Sequence, residues 1–95
     1  TLELLRTLPV DELKLDRSFV QGVTRDGIDR DIVASLLDLA HRRSMRVVAE
    51  GVETIDQAGA LAHLGCRYLQ GFLYSRPVPY DELVTLLQDG VAARR

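Results

Sequence analysis

Tryptophan is missing from this 95-residue chain, cysteine and methionine occur once each, and aromatics make up only 5% of it. A single thiol, Cys66, cannot close an internal disulfide, and it fits a reducing cytoplasm, where a lone Cys beside a Gly is most often a small buried residue. Zinc-finger chemistry is excluded by count: beside that one Cys stand only two distant histidines, His41 and His63, both expected on the surface. No apolar run nears the ~18–20 residues of a transmembrane helix, and 27% charged residues argue against any membrane contact. The formal charge of −2 supplies no basic field, so a nucleic acid polymer is not an expected partner. No Gly-x-Gly-x-x-Gly or Walker pattern follows any strand candidate, which removes support for Rossmann or P-loop nucleotide binding. The chain begins Thr1-Leu2-Glu3, without an initiator Met or a signal peptide, and this start suggests a cut from something longer.

What is present alternates between two periods. Leu2, Leu4, Leu5 and Leu8 suggest a helix ending at Pro9. Glu12 to Asp16 alternates polar and apolar residues and reads as a strand. Ile28, Ile32, Leu36 and Leu39/Ala40, with Val33 and Leu37 beside them, predict a helix. Asp29 and Asp31 open it and Arg42 and Arg43 close it, the polarity the helix dipole favours. Val47-Val48-Ala49, bounded by Glu50-Gly51, reads as a second strand. Thr54 and Gln57 form a capping box for a helix carrying Ile55, Ala58, Leu61 and Ala62 and stopping near Gly65. Cys66 to Gln70 is the third strand candidate, Pro77 and Pro79 punctuate a loop, and Asp81 starts a last helix with Gly90 past its end. Val91 to Arg95 reads as a fraying tail.

Strand and helix in strict alternation predict parallel βα units. Lys14 and Asp16, Glu50, and Gln70 then fall at the carboxyl ends of successive strands, where ligands and catalysis collect in such folds. A Lys, two acids and an amide converging there could serve a metal, a water and a phosphate. Each residue also has a plain structural reading. Lys14 could guard a strand edge, Glu50 could be a solvated strand end, Glu53 a first-turn helix acid, and Gln70 a partner for loop backbone. Arg76 reads equally as a surface charge or a phosphate ligand.

Three stretches in register carry a family resemblance. Leu8-Pro9-Val10-Asp11-Glu12-Leu13-Lys14-Leu15-Asp16-Arg17-Ser18-Phe19-Val20 resembles the strand with the catalytic lysine in EAL domains. Val47 to Thr54 resembles their "VAEGVET" segment. Leu64-Gly65-Cys66, Gln70-Gly71-Phe72 and Ser75-Arg76-Pro77 resemble their closing stretch, and together the segments span nearly the whole chain. The resemblance implies an α/β fold of the TIM-type (β/α)8 barrel, roughly 250 residues when complete. This chain would supply the C-terminal portion over residues 1–95, from the fifth helix through the eighth, with the last three βα units, parallel strands and an incomplete barrel. The upstream half would be absent, and the exposed strand edges would favour self-association.

The family's activity is hydrolysis of cyclic di-GMP to the linear dinucleotide pGpG, with two divalent cations, Mg2+ or Mn2+, gripping the phosphodiester. Residue by residue, the resemblance makes Glu50 a metal carboxylate that has also been discussed as a base, and Lys14 the lysine that contacts the attacking water. It places Gln70 near that water and the substrate. Asp16 and Glu53 become acids flanking the site, able to orient Lys14 or contact substrate, and Phe72 stands where a Tyr is common. Arg67 replaces the usual Asp after the Cys, a change that a solvent-facing strand start tolerates. The Glu-Ala-Leu motif and most of the metal ligands of the family are missing from this sequence. The expectation is therefore a part of a cytoplasmic phosphodiesterase, inactive as an isolated chain. The alternative is a degenerate EAL domain acting as a cyclic di-GMP receptor or a protein-interaction module.

Overall fold

In the computed structural model, which describes residues 12–71 and 76–88, three strands run parallel and a fourth closes back against them. Strand β1 is Glu12–Leu15 and ends where Asp16 caps helix α1, Arg17–Gly22. The Asp16 carboxylate accepts from the Ser18 N–H at 3.1 Å and the Ser18 hydroxyl at 2.7 Å, satisfying a donor that the first helical turn leaves orphaned. The two hydrogen bonds, hydroxyl first, hold the Asp16 pKa below the ordinary carboxylate value. Helix α2 follows at Ile28–Arg42, strand β2 at Arg46–Val52, helix α3 at Ile55–His63, strand β3 at Tyr68–Gly71, strand β4 at Val78–Pro79 and helix α4 at Tyr80–Gln88. The sheet order is β1-β2-β3-β4, with only the β3–β4 pairing antiparallel.

The capping box at α3 forms as the sequence predicts: Thr54 Oγ1 accepts from the Gln57 N–H at 3.0 Å, and Gln57 Oε1 accepts from the Thr54 N–H at 3.2 Å. Helix α2 carries the predicted charge polarity and an Asp38–Arg42 pair at 3.0 Å. His41 and His63 are exposed, as expected, and so is Arg67. Cys66 is buried, and desolvation pushes its thiol up to about 11. No helix among the described residues is long and apolar enough to cross a membrane.

Several expectations are corrected. The inward stripe of α2 is Val33, Leu37 and Ala40, whereas Ile28 is 74% exposed and Ile32 37% exposed. At 3.6 residues per turn Ile32 sits about 100° and Ile28 about 140° round the helix from Val33, beyond the arc that meets the sheet. Helix α1 was not anticipated, because six residues are too few for a readable period. Strand β2 does not stop at Glu50-Gly51 but continues to Val52. Strand β3 starts at Tyr68, with Cys66 in the turn before it. The segment read as a proline loop contains β4, which among the described residues pairs only with β3, a marginal position of the kind that tolerates Pro79. The helix expected over residues 2–8 and the tail at 91–95 lie outside the described residues.

The core lies between the sheet and its helices. Leu15, Ala49 and Leu69 share one face and meet Val33, Leu61 and Leu83 from α2, α3 and α4, all of them buried. A fully buried Leu of this kind contributes about 1.5–3 kcal/mol relative to an exposed one.

Candidate active site

The parallel register decides which side chains can meet. Lys14 pairs with Val48 and Val48 with Tyr68, while Leu15 pairs with Ala49 and Ala49 with Leu69. Paired residues point to the same side and neighbours along a strand to opposite sides. With Leu15, Ala49 and Leu69 turned to the helices, Lys14, Val48 and Tyr68 occupy the other face, and Glu50 and Gln70 follow two residues further along it. Val48 fits this assignment: it is fully buried yet does not belong to the helix-side core cluster. Lys14 is exposed, and Glu50 and Gln70 are half-buried.

The amino end of this face is taken by structural pairs. Glu12 and Arg46, register partners, form an ion pair at 3.0 Å, and the Arg46 guanidinium lies 4.5 Å from the Tyr68 ring centroid. Charge there is largely compensated. The carboxyl end differs because β2 is irregular: between Ala49↔Leu69 and Val52↔Gly71, three residues of β2 are spanned by two of β3. This bulge inserts one residue at Glu50-Gly51, and Gly51 takes φ +72, a left-handed conformation that a Cβ disfavours. The extra residue restores the parity that sends Val52 into the core, where it is fully buried. Glu50 thus sits where the ladder is interrupted, a position from which bulges commonly re-aim a side chain.

Two further acids flank this end. The Asp16 carboxylate is committed to the start of α1 through Ser18, so its structural role as a cap is evident. Glu53 lies just before the Thr54 cap; its N–H donates to Gln57 Oε1 at 2.8 Å, and its carboxylate reaches Arg17 Nε at 3.8 Å. Phe72 lies outside the described residues. Arg17 was not singled out from the sequence. The signal that could have found it is its position directly after a strand tip, followed by a cap.

Two clefts lie elsewhere. One of about 360 Å3 opens at the amino ends of β2 and β3, with Leu37, His41, Met45 and Arg67 among its lining residues. The other, of about 390 Å3, lies between Thr24, α3 and Tyr80. Lys14, Glu50 and Gln70 line neither of them. Among the described residues no group of three His, Cys, Asp or Glu side chains could hold a metal ion. The residues described do not by themselves fit a two-metal centre, since divalent cations of this class take six or more oxygen ligands.

Residues 1–77 match the EAL domain family. The chain belongs to that family. It is 42% identical over 85 residues to the cyclic di-GMP phosphodiesterase PdeL of Escherichia coli, covering 90% of this chain and 24% of PdeL. The EAL domain of Mycobacterium smegmatis DcpA superposes with a TM-score of 0.70 at 46% identity, over 94% of this chain and 40% of that one. Klebsiella pneumoniae BlrP1, in a complex with manganese and cyclic di-GMP, superposes with a TM-score of 0.71 at 37% identity, over 82% of this chain and 20% of BlrP1. The chain thus spans well under half the length of each of these EAL relatives.

Proposed function

We propose that this chain is the C-terminal part of an EAL phosphodiesterase domain, contributing the last three βα units of its barrel and one side of a site that hydrolyses cyclic di-GMP to pGpG. The observation that supports this reading is that Lys14, Glu50 and Gln70 fall near the carboxyl ends of three neighbouring parallel strands, in a family whose relatives include a named cyclic di-GMP phosphodiesterase. The Lys14 ammonium orients the attacking water and offsets the charge that develops on the phosphorane. The Gln70 amide hydrogen-bonds near that water and the substrate. Glu53 and Asp16 border the substrate position, and Phe72 contributes a ring face. Glu50 is the one carboxylate of this chain proposed to hold a divalent cation such as Mg2+ or Mn2+, which would polarise the phosphodiester.

One carboxylate holds no metal pair, so the isolated chain is proposed to be inactive. Among the described residues β1 pairs on one side only, with β2, which supports self-association of the chain through that strand edge. A cooperative melt with purely monomeric sedimentation would overturn that part.

The activity is tested in a complete EAL domain containing this sequence, by following conversion of cyclic di-GMP to pGpG with Mg2+ or Mn2+. Lys14→Ala and Glu50→Gln should each lower turnover about 10²–10³-fold. Saturable binding without hydrolysis in the unsubstituted domain would reject the enzyme reading and support a receptor.

A further inference from the structure

We propose that Arg17 is a positioning residue that clasps the Glu50–Glu53 turn, so that the Glu50 carboxylate is aimed by a side chain from the neighbouring βα unit and not by β2 alone. The inference rests on the reading of Glu50 as a site carboxylate.

The bulge in β2 needs support from outside, because it breaks the ladder on the β3 side just where Glu50 departs. That support comes from Arg17. Gly51 is buried, and a methyl group on it would come within 2.8 Å of Arg17 Cγ, 2.9 Å of Cβ and 3.1 Å of Cδ. The aliphatic stem of Arg17 therefore lies directly on the Gly51 backbone and fills the place a side chain would occupy. Beyond the stem, the guanidinium reaches Glu53 at 3.8 Å, with both side chains about half exposed. A long, half-solvated ion pair of this kind adds little by itself. The stem contact is the stronger restraint, and the charge pair orients its far end.

The position of Arg17 is itself set locally. It is the first residue of α1, and the Asp16 cap fixes where that helix begins. Asp16, Arg17 and Gly51 thus form a relay: the cap places the arginine, the arginine pins the glycine, and the pinned turn holds the two acids on either side of it. The Asp16 carboxylate is ionised at neutral pH, as the cap requires, and its bonds to Ser18 lower its pKa further. This relay gives the strand-tip acids a rigid footing, and sub-ångström placement of such groups is what turnover depends on.

The test separates stem from charge with three variants, Arg17→Ala, Arg17→Met and Arg17→Lys. In the 95-residue chain, amide hydrogen exchange is read at Gly51, Val52 and Glu53 against amides in the middle of α2. Arg17→Ala should speed exchange in the turn about tenfold and leave α2 unchanged, while Met and Lys, which keep the methylene stem, should retain protection. In a complete EAL domain containing the sequence, Arg17→Ala should lower kcat for cyclic di-GMP about 10–100-fold with KM within about threefold, and Arg17→Met should recover most of kcat. The proposal is overturned if Arg17→Ala leaves the turn's exchange unchanged, if exchange rises equally throughout the chain, or if Met is as damaging as Ala. Should the unsubstituted domain fail to hydrolyse cyclic di-GMP, the enzyme reading falls while the exchange result still decides the clasp.

Discussion

Leu15, Ala49 and Leu69 look toward the helices from the same three strands whose other face carries Lys14, Glu50 and Gln70. On the helix side Leu15, Val47, Ala49 and Leu69 are all apolar and buried, and their neighbours interlock. On the other side Glu12, Arg46 and Tyr68 compensate one another at the amino end, and polarity increases toward the carboxyl end, where the ladder is broken by a bulge. One strand pattern thus divides the residues: alternate positions pack against the helices, and those between them, Lys14 and Tyr68 among them, turn to the other side.

The largest effect should come from cutting into the helix-covered face. Leu69→Ala empties a fully buried site and should cost about 2–5 kcal/mol in urea unfolding. A loss below about 1 kcal/mol would mean that the face tolerates voids and is no true core. Next is the bulge, where the two faces meet: Gly51→Ala meets both a positive φ and the Arg17 stem, and should cost about 1–3 kcal/mol. Thr54→Ala removes one half of the capping box and should cost about 1 kcal/mol, most of it recovered by Thr54→Ser. On the opposite face Lys14→Ala should move stability by no more than about 0.5 kcal/mol, because Lys14 is exposed, even as it abolishes most turnover in the complete domain. A stability loss as large as that of Leu69→Ala would erase the distinction between the faces.

Cys66 sharpens the comparison by pH. Its thiol ionises near 9.0 when unfolded and is pushed up to about 11 by burial, so between those values the folded chain retains a proton that the unfolded chain loses. Stability should therefore be indifferent to this group below pH 9 and fall as pH rises from 9 toward 11. Alkylation by iodoacetamide at pH 8 should be slow in the folded chain and rapid in denaturant. Fast labelling of the folded chain would show that the turn before β3 opens readily.

Elements with strong local signals were legible in the sequence. Helix α2 announced itself through apolar spacing and end charges, and the start of α3 through Thr54 and Gln57. What escaped depended on partners. Helix α1 is made by one cap and a few buried contacts from Val20 and Val23, and β4 exists only because β3 offers it a ladder. Lys14, Glu50 and Gln70 stood at predicted strand ends from the alternation of elements alone, but spacing left plain structural readings open, and their roles came only with the family resemblance. Arg17 could not be chosen that way, because its contact with Gly51 spans 34 positions and no local pattern encodes it.

By itself the sequence determined where α2 and α3 begin, the alternation of strands and helices, and which family the chain belongs to, because caps, periodicity and short motifs are local or linear properties. Tertiary structure alone decided the bulge at Glu50-Gly51, the exposure of Ile28 and Ile32, the short antiparallel strand and the Arg17 contact. The physical reason is the same in each case: register, helix orientation and side-chain packing are set by the partner an element meets, and a chain read in one dimension does not contain that meeting.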